Sequence, residues 1–294
     1  MLTKDEITIK EAVSITLPPM DAAAALSKYT KVTDDEIPLL RAALSIALIE
    51  YPDLDLDQEM SEISSLIDGS EIRIGSRDDI EVTLKSINEY LFGKLGFKGN
   101  KDDYYNPRNS LLNEVIKRKT GLPITISSIY LGIAWSIGLD LHGIGFPGHF
   151  IVGCRDKEEI RYLDPFNSGR ELTEKSLQKI LDEIYQGRVI LNESFLQPLS
   201  KRMILVRMLN NLRGIYLENK ELLKALQVLT CICILTPDSA IDIRDKGILN
   251  YQLGNYQEAL DDLTKYLHLI PEATDADAIN ATVKKLMANM TNWT

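Results

Sequence analysis

Residues 106–152 read NPRNSLLNEVIKRKTGLPITISSIYLGIAWSIGLDLHGIGFPGHFIV, and this stretch decides the fold. NSLLNEVIKRK (109–119) predicts a helix, with Asn109 or Ser110 as its cap. Gly121-Leu122-Pro123 then breaks the chain, and a long apolar helix follows, ending near Gly138. Residues 122–139 carry no charge over 18 positions, the length at which a membrane span must be considered. The segment also holds Pro123, Thr125, three serines and Gly132, and it stands alone. It therefore reads as a buried central helix, apolar all round, and no membrane span is expected.

Beyond this helix come two strand-like runs, HFIVGC (149–154) and IRYLDPF (160–166), separated by the polar loop RDKEE. A further helix is expected over about 173–184 with Thr173 as its cap. The order helix, helix, strand, strand, helix predicts an α+β core, residues 101–195, with an antiparallel sheet packed on the central helix. Residues 1–100 read as its helical N-terminal extension. EIPLLRAALSIALIE (36–50) puts Ile37, Leu40, Ala43, Leu44, Ala47 and Leu48 on one helical face, and Tyr51-Pro52 ends the run. Helices are also expected near 57–67 and 80–94, with the polar, turn-rich DGSEIRIGSRDD between them.

The last third, 200–294, contains an internal repeat. Ala225 and Ala259 are 34 residues apart, and so are Pro237 and Pro271. Gly247, Gly254, Tyr256, Ala259 and Pro271 follow the small-residue, turn and terminal-proline pattern of a tetratricopeptide repeat. Small residues let two antiparallel helices approach closely, and proline ends the second. The units span about 206–239 and 240–273, with a capping helix over 277–290. The first unit departs from the pattern at Arg213, where a small residue is usual.

Composition bounds the function. The 294 residues are 45% hydrophobic and 26% charged, with a net charge of −10. That acidity argues against a nucleic-acid partner or an anionic lipid surface, both of which need basic patches. Three cysteines, at 154, 231 and 233, do not make a disulfide framework and suit a reducing compartment, the cytoplasm. The start, MLTKDEITIKEAVSITLPP, has no uninterrupted apolar run, so no signal peptide is expected. The chain has three histidines and no phosphate-binding or dinucleotide glycine fingerprint, so no metal or cofactor is expected.

His149 and Asp164 are the most suggestive pair. On a hairpin they can lie side by side, and a carboxylate beside an imidazole fixes its tautomer for work as a base. Equally, His149 can be a core histidine of the FPGHF turn and Asp164 the cap of an Asp-Pro turn.

NPRNSLLNEVIKRKTGLPITISSIYLGIAWSIGLDLHGIGFPGHFIV, with YLDPFNSGR and IEYPDLD, resembles the transglutaminase-like member of the SirB family. That family joins a domain of the transglutaminase/papain-like superfamily to C-terminal tetratricopeptide repeats, and the resemblance covers about residues 36–175. It implies an α+β transglutaminase-like domain with a helical N-terminal extension, followed by an all-α tetratricopeptide-repeat region. The superfamily's enzymes use Cys, His and Asp, the Cys standing at the start of the central helix. The resemblance implies that His149 and Asp164 take the second and third places. The first falls near Pro123, and no Cys precedes Cys154.

A thiol enzyme of the usual layout is therefore not expected. Cys154 stands an odd number of residues beyond His149, so its side chain should point to the other face. Thr125, Ser127 and Ser128 offer hydroxyls at the helix start, and they can equally cap the helix or bond backbone. Arg108, Asn113 and Glu114 lie in the most specific part of the match. They can line a cleft together with Thr125, or Asn113 can bond backbone and Glu114 pair with Arg108. Asn167-Ser168-Gly169-Arg170 can form a rim, although Ser168 stands where the family has glycine. The resulting expectation is a binding or regulatory protein whose repeats hold a protein or peptide. The alternative is a hydrolase or acyl-transfer enzyme with a non-standard nucleophile.

Overall fold

The computed structural model describes residues 21–71, 79–157 and 159–291. The segment read for a signal peptide and residues 72–78 of the polar turn lie outside the described residues. Those described form two compact units, Asp21–Thr236 and a second beginning at Pro237.

The first unit opens with α1 (Asp21–Ser27), α2 (Leu39–Ile46), α3 (Leu56–Glu71) and α4 (Ile80–Asn88). A 3-10 turn, Ala47–Ile49, extends α2, and a π-helical turn, Glu89–Lys94, extends α4. The strand β1 (Lys98–Gly99), the helix α5 (Leu112–Arg118) and the strand β2 (Thr120–Gly121) follow, with β1 and β2 paired in parallel. The expected cap of α5 is corrected: Leu111 is its N-cap, not Asn109 or Ser110. Pro107 sets up a separate 3-10 turn, Pro107–Asn109, capped by the Asn106 side chain. Asn109 is spent elsewhere, donating from Nδ2 to the carbonyls of Asp103 (2.6 Å) and Tyr104 (3.2 Å).

The central helix α6 (Pro123–Ser136) is buried at every position from Pro123 to Ala134. Proline at its first position loses no hydrogen bond, because that N–H has no partner within the helix. Gly138, at φ +81°, turns the chain out, a conformation that costs other residues strain. Burying each Ile or Leu side chain contributes about 1.5–3 kcal/mol, so this helix is the main anchor of the unit. Among the described residues no helix is long and apolar enough to cross a membrane.

Four antiparallel strands follow in the order β3 (Leu141–Ile144), β4 (Ile151–Asp156), β5 (Glu159–Asp164) and β6 (Arg170–Leu172). The expected hairpin is β4–β5, with Val152 opposite Leu163 and Cys154 opposite Arg161. His149 precedes β4, and Asp164 ends β5. The outer strands were not expected, because runs of four and three residues carry no alternation to read. The helix α6 packs on β3 and β4. The helix α7 (Glu174–Tyr185), capped by Thr173, closes a further core of Ile144, Phe146, Ile151, Leu172, Leu177 and Leu181.

The unit ends with α8 (Lys201–Glu218) and α9 (Leu222–Leu235). Asp34 caps α8 from a distance, accepting from the amides of Lys201 (2.8 Å) and Arg202 (2.9 Å). The helix α8 packs on α2, and α9 packs on α1. The first of the two repeat-like helix pairs thus belongs to the same compact unit as the sheet.

The second unit holds α10 (Ala240–Leu253), α11 (Tyr256–Leu269) and α12 (Ala276–Thr291). Gly254, at φ +82°, makes the turn between the first two. A Cβ on Gly247 would meet Leu263 at 2.9 Å and the Asp262 Cβ at 3.0 Å, which is why the helix crossing needs glycine. The architecture is the α+β domain followed by helical repeats that the sequence predicted.

Candidate functional site

The site forms where the turn before β4 meets the end of β5. Phe146 accepts from the His149 amide at 3.0 Å, which closes the Phe146–His149 turn. His149 Nε2 then lies 3.0 Å from Asp164 Oδ1. The imidazole is 11% exposed and the carboxylate fully buried. The Phe166 ring and the imidazole pack nearly perpendicular to one another at 5.9 Å between centroids, and Tyr104 packs in turn on Phe166 at 6.3 Å.

Asp164 has further partners. Oδ1 accepts from the Asn167 amide (3.3 Å) and Oδ2 from Asn167 Nδ2 (2.7 Å). Arg170 Nη2 lies 3.2 Å from Oδ2. Burial by itself would raise the Asp164 carboxyl, but the hydrogen bond and charge of His149, with Asn167 and Arg170, outweigh it. The group is held below the ordinary carboxylate range. The two readings of Asp164 are therefore both met: it caps the Asp-Pro turn and it orients the imidazole. With Nε2 committed to Asp164, Nδ1 is the ring nitrogen left for a second partner.

The rim keeps the shape that two glycines would give. Ser168 takes the left-handed conformation at φ +62°, and Gly169 follows at +72°. Gly169 also packs tightly, since a Cβ there would fall 2.0 Å from Asn88 Oδ1.

The other sequence candidates do not converge on this pair. Thr125 is fully buried, its hydroxyl donating to the Asn109 carbonyl (2.9 Å) and accepting from the Leu122 amide (2.9 Å). Ser128 donates to the Ile124 carbonyl at 2.8 Å. Ser127 is buried, its hydroxyl without a partner among the described residues. Cys154 is fully buried, and its thiol is pushed up to about 11, first by burial and then by Asp156. Glu114 accepts from the Tyr51 hydroxyl at 3.0 Å rather than pairing with Arg108, which is exposed. Asn113 is buried, and its Oδ1 has no partner among the described residues. Among the described residues no hydrogen bond or ion pair joins Arg108, Asn113, Glu114 or Thr125 to His149 or Asp164. No group of three or more His, Cys, Asp or Glu among them could hold a metal ion.

Sequence reasoning missed Arg207. From α8 its Nη2 donates to the Phe146 carbonyl at 2.7 Å and to the His149 carbonyl. It thereby ties down the turn that carries the imidazole.

A family model described as the transglutaminase-like superfamily matches residues 56–210. The chain belongs to that superfamily. A tetratricopeptide-repeat model matches residues 212–284, so the two matches meet inside the unbroken helix α8. A UPF0162 protein of Xylella fastidiosa (strain 9a5c) is 36% identical over 251 residues, 84% of this chain and 89% of that protein. A UPF0162 protein of Vibrio cholerae is 25% identical over 86% of this chain and 93% of its own length. F-box only protein 21 of Mus musculus is 36% identical over 108 residues, 34% of this chain and 17% of that protein.

Proposed function

We propose that this protein is a binding and regulatory protein of the SirB type, in which a transglutaminase-like cleft has lost its nucleophile and the repeats hold a protein partner. The observation that carries this reading is the state of the hydroxyls and thiol nearest the expected nucleophile. Pro123 begins the helix, Thr125 Oγ1 is engaged with Asn109 and Leu122, and the Cys154 thiol is buried and raised. A nucleophile must reach its base and be activated by it, and among the described residues the side-chain hydrogen bond of His149 goes to Asp164 and to none of these groups. The His149–Asp164 pair then serves as a rigid polar wall that orients a ligand. The repeat match supports a protein or peptide as partner. A chain of net charge −10 supports a partner other than nucleic acid, and a count of three cysteines, too sparse for a disulfide framework, supports a cytoplasmic setting.

The second reading, hydrolysis or acyl transfer, is favoured by one observation: Asp164 holds the imidazole in the geometry a base requires. Turnover of aryl esters and peptide amides by the full chain and by His149→Ala separates the two. The binding reading expects both to match the uncatalysed rate. Turnover by the unsubstituted protein that His149→Ala abolishes, while the variant is still folded at the assay temperature, overturns it.

A further inference from the structure

We propose that Arg207 is the anion-receiving group of the cleft beside His149, and that the ligand of this cleft carries a carboxylate. The inference deepens the binding reading and rests on it only in taking the cleft as a ligand site.

Arg207 reaches the site from α8, 58 residues along the chain from His149. Its Nη2 is used by two carbonyls of the turn, Phe146 and His149. Gly145 leaves room for the guanidinium, since a Cβ there would sit 2.9 Å from Arg207 Nη1. A guanidinium has five N–H donors. Those on Nε and Nη1 have no acceptor among the described residues.

The charge is also unmatched. The chain has 43 acidic residues, yet none forms an ion pair with Arg207 among the described residues. Other arginines of the fold do meet acids, Arg161 with Asp156 and Glu171 and Arg244 with Asp245 and Asp275, whereas Arg202, like Arg207, donates to main-chain carbonyls, those of Tyr29 and Val32. The titratable groups facing Arg207 are two phenols, Tyr104 and Tyr185. Burial lowers the pKa of the guanidinium, which nonetheless stays charged at neutral pH because it starts so high. A half-buried cation with spare donors and no counter-ion is costly, and an anion supplied by a ligand removes that cost.

The position links this charge to the site already described. Tyr104, which faces Arg207, packs on Phe166, and Phe166 packs on the His149 imidazole. The other nearby cations are engaged, Lys101 with Asn167 Oδ1 at 2.8 Å and Arg170 with Asp164 at 3.2 Å. Lys101 is exposed and its partner Asn167 is neutral, so Arg207 is the half-buried charge here without a counter-ion; one such charge matches a monoanion, and the geometry favours a carboxylate over a phosphate dianion.

The test is a titration of the unsubstituted full chain, followed by NMR at the arginine Nε–Hε groups and at His149 Cε1–H. Arg207→Lys assigns the Arg207 signal. If that variant does not fold, Tyr104→Leu assigns it through the lost ring-current shift. The probes are acetate for a free acid, N-acetylglycine for a peptide end, and inorganic phosphate, at ionic strength held with chloride. Both carboxylates are expected to shift Arg207 and His149 together and saturably, in about the millimolar range that a few polar contacts allow. A stronger response to N-acetylglycine assigns a peptide terminus, and equal responses assign a free acid. A His149 shift without an Arg207 shift removes the anion assignment and leaves the cleft as a binding site. No shift at either group removes both. Phosphate binding at least tenfold tighter than either carboxylate overturns the choice of ligand class.

Discussion

Arg207 donates to the main-chain carbonyl of His149, while Asp164 meets the same residue's imidazole at 3.0 Å. The histidine is thus held at both ends, its backbone from α8 and its ring from the end of β5. The helix that supplies the backbone clamp is also where the transglutaminase-like and repeat matches meet.

Asp164 and His149 should differ in what their loss costs. Asp164 is fully buried and receives donors from His149, Asn167 and Arg170. Asp164→Ala leaves all of these without an acceptor and should cost about 3 kcal/mol, in the range for breaking a buried pair. His149→Ala leaves the carboxylate with its remaining donors and should cost about 1 kcal/mol. Urea midpoints at pH 7 measure both. Equal losses would mean that Asn167 and Arg170 do not support the carboxylate.

The same carboxyl gives the stability a pH dependence of fixed sign. Its pKa in the folded protein lies below the ordinary value, despite burial, because of His149, Asn167 and Arg170. Its contribution is therefore complete above the unfolded value of about 3.9 and is lost as pH falls through the lower folded value. Asp164→Asn should flatten this part of the acid limb. Urea melts from pH 5 downward test it, and an unchanged slope in the variant would refute the assignment.

The rim after β5 depends on two left-handed residues in succession. Gly169→Ala adds both an unfavourable φ and a Cβ 2.0 Å from Asn88 Oδ1, so it should cost about 2 kcal/mol. Ser168→Gly relieves strain at φ +62° and should be neutral or slightly stabilising. A Gly169→Ala protein as stable as the parent would show that the rim is not held in this shape.

In the second unit, Gly247→Ala should cost about 1–3 kcal/mol, because the added carbon meets Leu263 and Asp262 at 2.9–3.0 Å. Thermal melts of the full chain measure it.

Much of this was legible in particular residues. The uncharged run 122–139 announced the central helix, because only a segment buried on all sides dispenses with charge for so long. The 34-residue spacing of Ala225 with Ala259 and of Pro237 with Pro271 announced the repeat, because those positions control how closely helices pack. His149 and Asp164 were readable as a pair because one hairpin brings them together. Arg207 was not, since its contact spans 58 residues and leaves no local pattern. The role of Thr125 was open for a different reason: one hydroxyl suits a cap or a nucleophile, and only the Asn109 carbonyl at 2.9 Å distinguishes them. The strands LHGI and REL were too short to show a period.

The central claim is that the His149–Asp164 pair has no nucleophile to activate. Covalent labelling tests it most directly: the native full chain is treated at pH 7 with iodoacetamide and, separately, with a fluorophosphonate, and the modified residues are mapped by mass spectrometry. The account predicts that Cys154 reacts no faster than the protein unfolds, its thiol being buried and raised to about 11. It also predicts that Thr125, Ser127 and Ser128 remain unlabelled. Rapid labelling of any of these four residues, suppressed by His149→Ala, would contradict it.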